Sequence, residues 1–180
     1  GYEHRHVAEC LGDGGDIVTF SGSVIRPRKP GGWVDPGPRG TLGVGTGFAL
    51  ASKLVQPERD VVVLFGDGSF GLTGFDFETM VRNKLPFVGV IGNNSSWNQI
   101  RFGQARKYGK ERGDVGNVLA DVRFDKFAEV MGGFGIRVTK PEDIRPALEK
   151  ARDSGRPALV DVVINREVYS SGTMHQTMYK

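Results

Sequence analysis

Two apolar runs of strand length, each followed at once by short polar residues, constrain the fold of this chain more than any other feature. Residues 60–65 (DVVVLF) lead into the triplet GDG at 66–68, and residues 86–91 (PFVGVI) lead into the pair NN at 93–94. Uninterrupted apolar runs are typical of parallel strands that are covered on both faces. One helix-length segment separates the runs, as a parallel crossover requires. The pattern predicts neighbouring strands whose polar ends meet at one edge of a sheet.

The remaining segments continue the alternation of strands and helices. Further strands are predicted at residues 16–20, 135–138 and 157–164, and a loop is predicted at residues 21–40. Helices are predicted at residues 42–54, 71–83, 125–131 and 142–152. Pro146 is expected in the first turn of the last helix or at a kink. This order predicts an α/β fold with an open, mostly parallel sheet of about five to six strands and helices on both faces. We expect a domain over residues 1–165 and a tail over residues 166–180, which is a lid, an arm onto another subunit or a mobile end.

Composition and charge exclude several classes of function. Hydrophobic residues make up 38% and charged residues 25% of the chain, as in folded globular domains. No apolar run approaches the roughly 20 residues of a membrane-spanning helix, and a net charge of +3 is poor evidence for a nucleic-acid partner. Cys10 is the single cysteine, so no intrachain disulfide is possible and a cytoplasmic location is the default expectation. We therefore expect neither a membrane nor a nucleic acid as partner.

The polar ends of the two strands predict a cation site. Asp67 offers a carboxylate and Asn94, 27 positions later, an amide oxygen. Hard cations such as Mg²⁺ prefer such ligands together with phosphate oxygens. Gly66 and Gly68 let the turn approach a ligand closely, and the backbone N–H groups of Gly68 and Ser69 lie where an anion is favoured. Taken alone, each motif has a simpler interpretation, as a turn or as a helix cap.

These motifs resemble the signature of thiamine-diphosphate enzymes, a GDG triplet followed one crossover later by an Asn-Asn pair. The stretch DPGPRGTLGVGTGFALA at residues 35–51 resembles the family segment that holds the aminopyrimidine ring. The resemblance covers residues 16–164 and is to the C-terminal, diphosphate-binding domain of the acetolactate synthase, oxalyl-CoA decarboxylase and 2-hydroxyacyl-CoA lyase group. It implies thiamine diphosphate and Mg²⁺ as cofactors. It also implies a lyase or carboligase that acts on a 2-hydroxyacyl-CoA or a 2-oxo acid.

The resemblance assigns roles to individual residues. Gly40 would accept a hydrogen bond from the exocyclic amine of the pyrimidine, and Leu42 would bend the cofactor so that this amine meets the thiazolium carbon; these are the catalytic candidates. The metal candidates are the side chains of Asp67 and Asn94 and the backbone carbonyl of Ser96. The other cofactor-binding candidates are Gly66, Gly68 and Ser69, with Ser21 and Ser23 after the predicted first strand as a further diphosphate loop.

The segment after the metal motif supplies the substrate candidates, which are Trp97, Asn98, Gln99 and Arg101. The basic run over residues 101–112 could bind the phosphates of a coenzyme A ester or the carboxylate of a 2-oxo acid, or it could be a solvated face. His175 lies in the candidate lid. The expected substrate is therefore a small molecule that contacts residues beyond the metal motif.

The resemblance also implies a partner. The family's activating glutamate belongs to a separate pyrimidine-binding domain, which is normally contributed by a partner subunit and has no match in these 180 residues. We expect the chain to be a fragment of a longer enzyme or one subunit of a split enzyme, in a homo- or hetero-oligomer such as a dimer or tetramer. Two alternatives stay open: a noncatalytic or regulatory module that retains the cofactor site, and an unrelated nucleotide- or phosphate-binding α/β domain.

Overall fold

A computed structural model describes residues 9–169, in which parallel strands form one open sheet. The strand order across the sheet is β2-β1-β3-β4-β6-β5, and every pairing is parallel. The predicted fold class is confirmed. The strands are β1 (Glu9–Asp13), β2 (Trp33–Val34), β3 (Val61–Gly66), β4 (Val88–Asn93), β5 (Phe134–Val138) and β6 (Ala158–Val163).

Helices fill the connections between the strands. They are α1 (Gly15–Val24), α2 (Gly45–Val55), α3 (Asp67–Thr73), α4 (Asp76–Arg82), α5 (Asn98–Tyr108), α6 (Lys110–Asp114), α7 (Phe124–Val130) and α8 (Ile144–Asp153), with short 3₁₀ helices at Gly37–Arg39 and Pro141–Asp143. Pro146 lies in the first turn of α8, as predicted. The N–H that proline lacks would have no helical acceptor there.

Two hydrophobic clusters cover the two faces of the sheet. On β3, Val61, Val63 and Phe65 belong to one cluster, which also contains buried residues of α2, α3, α4 and α7. The alternate residues Val62 and Leu64 pack against the other cluster, to which α8 contributes. This alternation explains why the strand is apolar at every position, since both of its faces are buried.

The predicted first strand is wrong. Residues 16–20 form the first half of α1, and the strand lies earlier, at Glu9–Asp13. The run DIVTF is rich in β-branched residues, but Gly14 and Gly15, with φ of 66° and 75°, turn the chain directly from β1 into a helix. The predicted loop is also partly structured, since it contains the end of α1 and the edge strand β2. The helix predicted over residues 71–83 is two helices, α3 and α4.

The topology places a crevice beside the two polar motifs. The chain passes from β1 to β2 on one side and then returns to the other side of β1 as β3. Ligands of open α/β sheets bind at the carboxyl ends of strands where the order reverses in this way. The carboxyl ends of β1 and β3 carry Gly14 and Asp67, respectively. In the described part of the chain, no helix is both long and apolar enough to cross a membrane.

Candidate cofactor-binding site

A cavity of about 470 Å³ opens at the carboxyl ends of β1, β3 and β4. Its lining includes Gly14 and Gly15 after β1, Gly66 at the end of β3, residues 67–69 at the start of α3, and Asn94 and Ser96 after β4. The structure therefore brings the two motifs together, at the edge of the sheet that the sequence predicts. A cavity of this size is in the range that holds a cofactor-sized molecule.

Asp67 joins the loops after β3 and β4. Its side chain is buried, and Oδ1 accepts a hydrogen bond from the N–H of Gly68 over 2.7 Å. Oδ2 accepts from the backbone N–H groups of Asn94 and Ser96 over 3.1 and 3.2 Å. Burial raises the pKa of Asp67 above 3.8, and these backbone hydrogen bonds oppose the rise. The carboxylate is thus fixed in place by both loops.

The amide oxygen of Asn94 has no hydrogen-bond partner among the described residues, although the side chain is only 7% exposed. Leaving a buried polar group unsatisfied costs about 1–3 kcal/mol, so this oxygen fits a ligand such as a cation. Residues 9–169 contain no cluster of three or more His, Cys, Asp or Glu side chains that could hold a metal by themselves. One carboxylate with amide and carbonyl oxygens fits Mg²⁺, which takes its other ligands from water and phosphate.

Trp97 explains why the position after Asp67 is glycine. A Cβ atom on Gly68 would lie 2.6 Å from the indole ring of Trp97. The ring therefore packs directly on the backbone of the turn. Gly66 is also constrained, but less tightly, because a Cβ there would lie 3.1 Å from the carbonyl oxygen of Gly14. The glycines of the GDG triplet serve close packing between loops at this edge of the sheet.

The loop predicted to hold the pyrimidine ring contributes Gly40 and Leu42 to the cavity lining. Gly40 has a left-handed backbone, with φ of 59°, at the end of a 3₁₀ helix. The loop is held by Asp13, a fully buried residue whose carboxylate accepts hydrogen bonds from the N–H groups of Gly43 and Gly45 over 2.9 and 2.8 Å. Burial raises the pKa of Asp13 above 3.8. The role of Asp13 cannot be recognised from the sequence, because its partners lie 30 and 32 positions later.

The assignment of Ser21 and Ser23 to a diphosphate loop is wrong. Both lie within α1, and their hydroxyl groups donate to the carbonyls of Ile17 and Phe20, each over 2.6 Å. The error follows from the misplaced first strand. The residues that actually follow this strand and line the cavity include Gly14 and Gly15, together with Asp16 at the start of α1.

The substrate candidates at the start of α5 lie in the cavity wall. Trp97, Asn98 and Gln99 all line the cavity. Asn98 donates from Nδ2 to the carboxylate of Asp16 over 2.8 Å, and Gln99 donates from Nε2 to the hydroxyl of Thr19 over 3.0 Å. These two pairs hold α5 against α1 and so fix the width of this side of the cavity.

The substrate role of Arg101 is not supported by its position. Its side chain is 3% exposed and is not part of the cavity lining. The guanidinium instead donates to the carboxylates of Asp114 and Glu167 over 2.6 and 3.0 Å and to the hydroxyl of Tyr169 over 2.9 Å. The solvated-face interpretation is wrong for this residue as well, because it is buried and its donors are used within the protein.

The predicted lid is described only in part. Its first residues, 166–169, are held against α5 by Arg101. Residues 170–180, which include His175, lie outside the described residues. The predicted domain boundary at residue 165 stays a prediction.

Comparison with protein families matches residues 7–162 to the thiamine pyrophosphate enzyme, C-terminal TPP binding domain. The chain belongs to this family. Thiamine pyrophosphate is thiamine diphosphate, so the predicted family and its cofactor are confirmed. The unrelated nucleotide-binding domain is thereby excluded.

Curated relatives of this TPP-binding domain carry two kinds of name. It is 42% identical over 156 residues to a probable acetolactate synthase of Mycobacterium bovis, covering 87% of this chain and 28% of the relative. It is 38% identical over 173 residues to 2-hydroxyacyl-CoA lyase 2 of Caenorhabditis elegans, covering 93% of this chain and 27% of the relative. It is 37% identical over 168 residues to 2-hydroxyacyl-CoA lyase 2 of Homo sapiens, covering 90% of this chain and 26% of the relative. The domain thus spans between 26% and 28% of the length of these relatives.

Proposed function

We propose that this TPP-binding domain anchors thiamine diphosphate and Mg²⁺ in a C–C bond lyase or carboligase that acts on a 2-hydroxyacyl-CoA or a 2-oxo acid. The observation that carries the proposal is that the Asp67 carboxylate and the Asn94 amide oxygen lie at the ends of adjacent strands. The backbone N–H of Asn94 donates to Asp67, and the amide oxygen has no partner among the described residues. The names of the relatives support the two substrate classes. Acetolactate synthase chemistry is the main alternative to cleavage of a 2-hydroxyacyl-CoA.

Each residue of the site has a separate task in this proposal. When bound, thiamine diphosphate supplies an electron sink for breaking or forming a bond beside a carbonyl carbon. Asp67, Asn94 and the backbone carbonyl of Ser96 would hold the cation and, through it, the diphosphate. Leu42 would support the bent shape of the cofactor from the opposite loop. Trp97, packed on Gly68, would hold the turn that carries Asp67 in place.

A pyrimidine-binding domain would complete the site from the open side of the cavity. Leu42, which lines the cavity, and Leu72, which lies beside Gly43 of the same loop, expose 37% and 57% of their surface. Exposed apolar side chains grouped in this way are typical of a surface that another domain covers. The partner would come from the same chain or from another subunit, which makes a homo- or hetero-oligomer the expected assembly. A cytoplasmic location remains a prediction.

A noncatalytic module that keeps the cofactor site is the second candidate function. One experiment separates the candidates: the complete protein, loaded with thiamine diphosphate and Mg²⁺, is given either a 2-hydroxyacyl-CoA or a 2-oxo acid. Cleavage between C1 and C2 of the acyl group of the first would release an aldehyde and formyl-CoA, whereas the second would release carbon dioxide. Neither product, in a protein that binds the cofactor, would identify the noncatalytic module. The Asp67→Asn variant serves as the control for cofactor-independent background.

A further inference from the structure

The side chain of Asn93, the first residue of the Asn-Asn pair, is held in one orientation. Its Nδ2 donates to Asp161 Oδ1 over 2.9 Å and to the carbonyl oxygen of Val122 over 3.0 Å. Because both of these partners are acceptors, the amide nitrogen must face them. The amide oxygen then faces Ser95, whose backbone N–H donates to it over 3.2 Å.

This orientation supports a strained turn. Ser95 has φ of 53°, a left-handed conformation that a residue other than glycine seldom adopts. The turn directs the N–H groups of Asn94 and Ser96 to the same oxygen of Asp67, over 3.1 and 3.2 Å. The hydrogen bond from Ser95 to Asn93 offsets the strain at the centre of the turn, so the proposed cation ligands depend on the direction in which the Asn93 amide points.

One of the two acceptors that set this direction is a buried carboxylate on a different strand. Asp161 lies on β6 with no exposed surface, opposite Ile91 of β4 and Arg137 of β5. Its Oδ2 accepts a hydrogen bond from Arg137 over 3.1 Å, and Arg137 is held in turn by Asp121 over 2.7 Å. A buried carboxylate is costly unless it is paired and hydrogen-bonded, and this one is satisfied by Arg137 and Asn93 together.

We propose that Asp161 is a positioning residue for the cation site and acts through the amide of Asn93. Without this acceptor the amide is held only by the Val122 carbonyl and rotates more easily. The hydrogen bond from Ser95 is then weakened, and the turn holds Asn94 and Ser96 less firmly against Asp67. The inference rests on the proposed cation site and adds to it a residue of β6, the strand next to β4. If Asp161 had only a structural role, the ion pair with Arg137 would stabilise the core and leave cation binding untouched.

The test compares three variants of the complete protein. In the double variant Asp161→Leu/Arg137→Leu, apolar residues replace the buried ion pair, an exchange that often preserves folding, but Asn93 loses one of its two acceptors and keeps only the Val122 carbonyl. In Asp161→Asn the amide oxygen can still accept from Asn93. Asp121→Asn is the matched control, because it weakens the exposed contact of the same Arg137 and leaves Asp161 unchanged.

Two measurements are made on each folded variant. The first is the affinity for Mn²⁺, a spectroscopic substitute for Mg²⁺, measured by electron paramagnetic resonance in the presence of thiamine diphosphate. The second is amide hydrogen exchange at Ser95 and Ser96 without any ligand. We expect the double variant to lose about 10- to 100-fold in Mn²⁺ affinity and to exchange faster at both amides. Asp161→Asn should keep most of the Mn²⁺ affinity, and its Ser95 and Ser96 amides should exchange nearly as slowly as in the parent. Asp121→Asn should resemble the parent in both measurements.

The possible results separate the inference from the proposed function. A folded double variant with parental Mn²⁺ affinity and exchange would overturn the inference and leave the cation site intact. An Asp161→Asn variant as weak as the double variant would show that the charge, and not the acceptor, matters, which also overturns it. If the parent itself binds no Mn²⁺ with thiamine diphosphate, the proposed cation site is wrong and the inference is wrong with it.

Discussion

Asp67 and Asn94 are 27 positions apart in the chain, yet Asp67 Oδ2 accepts a hydrogen bond from the backbone N–H of Asn94 over 3.1 Å. The bond joins the loops that follow β3 and β4, which pair in parallel up to Gly66 and Gly92. Asp67 therefore anchors the backbone that carries the Asn94 amide oxygen, which has no partner among the described residues. A substitution of Asp67 is expected to disturb both oxygens, whereas a substitution of the Asn94 side chain keeps the backbone N–H that donates to Asp67.

Leu42→Ala should leave cofactor affinity largely intact and slow the exchange of the thiazolium C2 proton by about tenfold, equivalent to ~1.4 kcal/mol of barrier. The physical reason is that Leu42 lines the cavity but is 37% exposed. Its truncation would therefore remove little buried apolar area and would act mainly by removing support for the bent cofactor. The exchange rate is measured by NMR in the loaded complete protein. Leu54→Ala, at an exposed site near the end of α2, is the control. Parental exchange in Leu42→Ala would contradict the supporting role.

Gly14→Ala should destabilise the domain and weaken cofactor binding. The residue has φ of 66°, and an added Cβ would collide with the side chains of Leu42 and Ser69 in the cavity wall. Backbone strain of this kind costs about 1–3 kcal/mol, and the collision adds to it. Gly31→Ala separates the two effects, because Gly31 has φ of 75° with no neighbouring atom within 4 Å of the added Cβ. Urea unfolding should show the larger loss for Gly14→Ala; equal losses would rule out the collision.

The cavity could be predicted from sequence because its two motifs are local. The strand ends at residues 60–65 and 86–91 are readable from apolar runs, and parallel pairing brings their polar ends together. The prediction of the first strand failed because the sequence DIVTF favours a strand by its residue types. In the structure, the preceding turn at Gly14 and Gly15 leads this segment into a helix. The Ser21 and Ser23 assignment failed for the same reason.

Residues that act across the sheet could not be read from the sequence. Asp161 sits inside an apolar strand, where its partner, Asn93, is 68 positions away. Asp13 holds two backbone N–H groups that lie 30 and 32 positions later. In the sequence, Arg101 belongs to a basic run that is typical of a solvated face. In the structure it is buried and donates hydrogen bonds to the carboxylates of Asp114 and Glu167. Each depends on long-range contacts that leave no periodic signal.

Arg101→Leu should release the segment over residues 166–169 from α5. The variant removes hydrogen bonds to Glu167 and Tyr169 and to the carbonyl of Arg166, and we expect a loss of about 1–3 kcal/mol in the free energy of unfolding. Limited proteolysis should cut this segment faster than in the parent. Arg106→Leu, an exposed arginine on the same helix, is the control. Parental protection of residues 166–169 in Arg101→Leu would mean that the segment is held by other contacts.

Asp13→Asn should change the pH dependence of stability. Burial raises the pKa of Asp13 above 3.8, so the folded state favours the protonated carboxyl more than the unfolded state does. The stability that this group contributes is therefore fully present below pH 3.8 and is lost as pH rises through the folded pKa. The destabilisation caused by Asp13→Asn should shrink from acid to neutral pH in urea unfolding. A penalty that grows with pH would mean that the hydrogen bonds from Gly43 and Gly45 outweigh burial.

The most direct test of the central claim is the affinity of the complete protein for thiamine diphosphate, measured by calorimetry with and without Mg²⁺ for the parent and for Asp67→Asn. We predict that removing Mg²⁺ weakens the parent by about 100-fold, or ~2.8 kcal/mol. Asp67→Asn should bind weakly in both conditions and show no response to Mg²⁺. An Asp67→Asn variant that binds the cofactor with parental affinity and parental Mg²⁺ dependence would contradict the account.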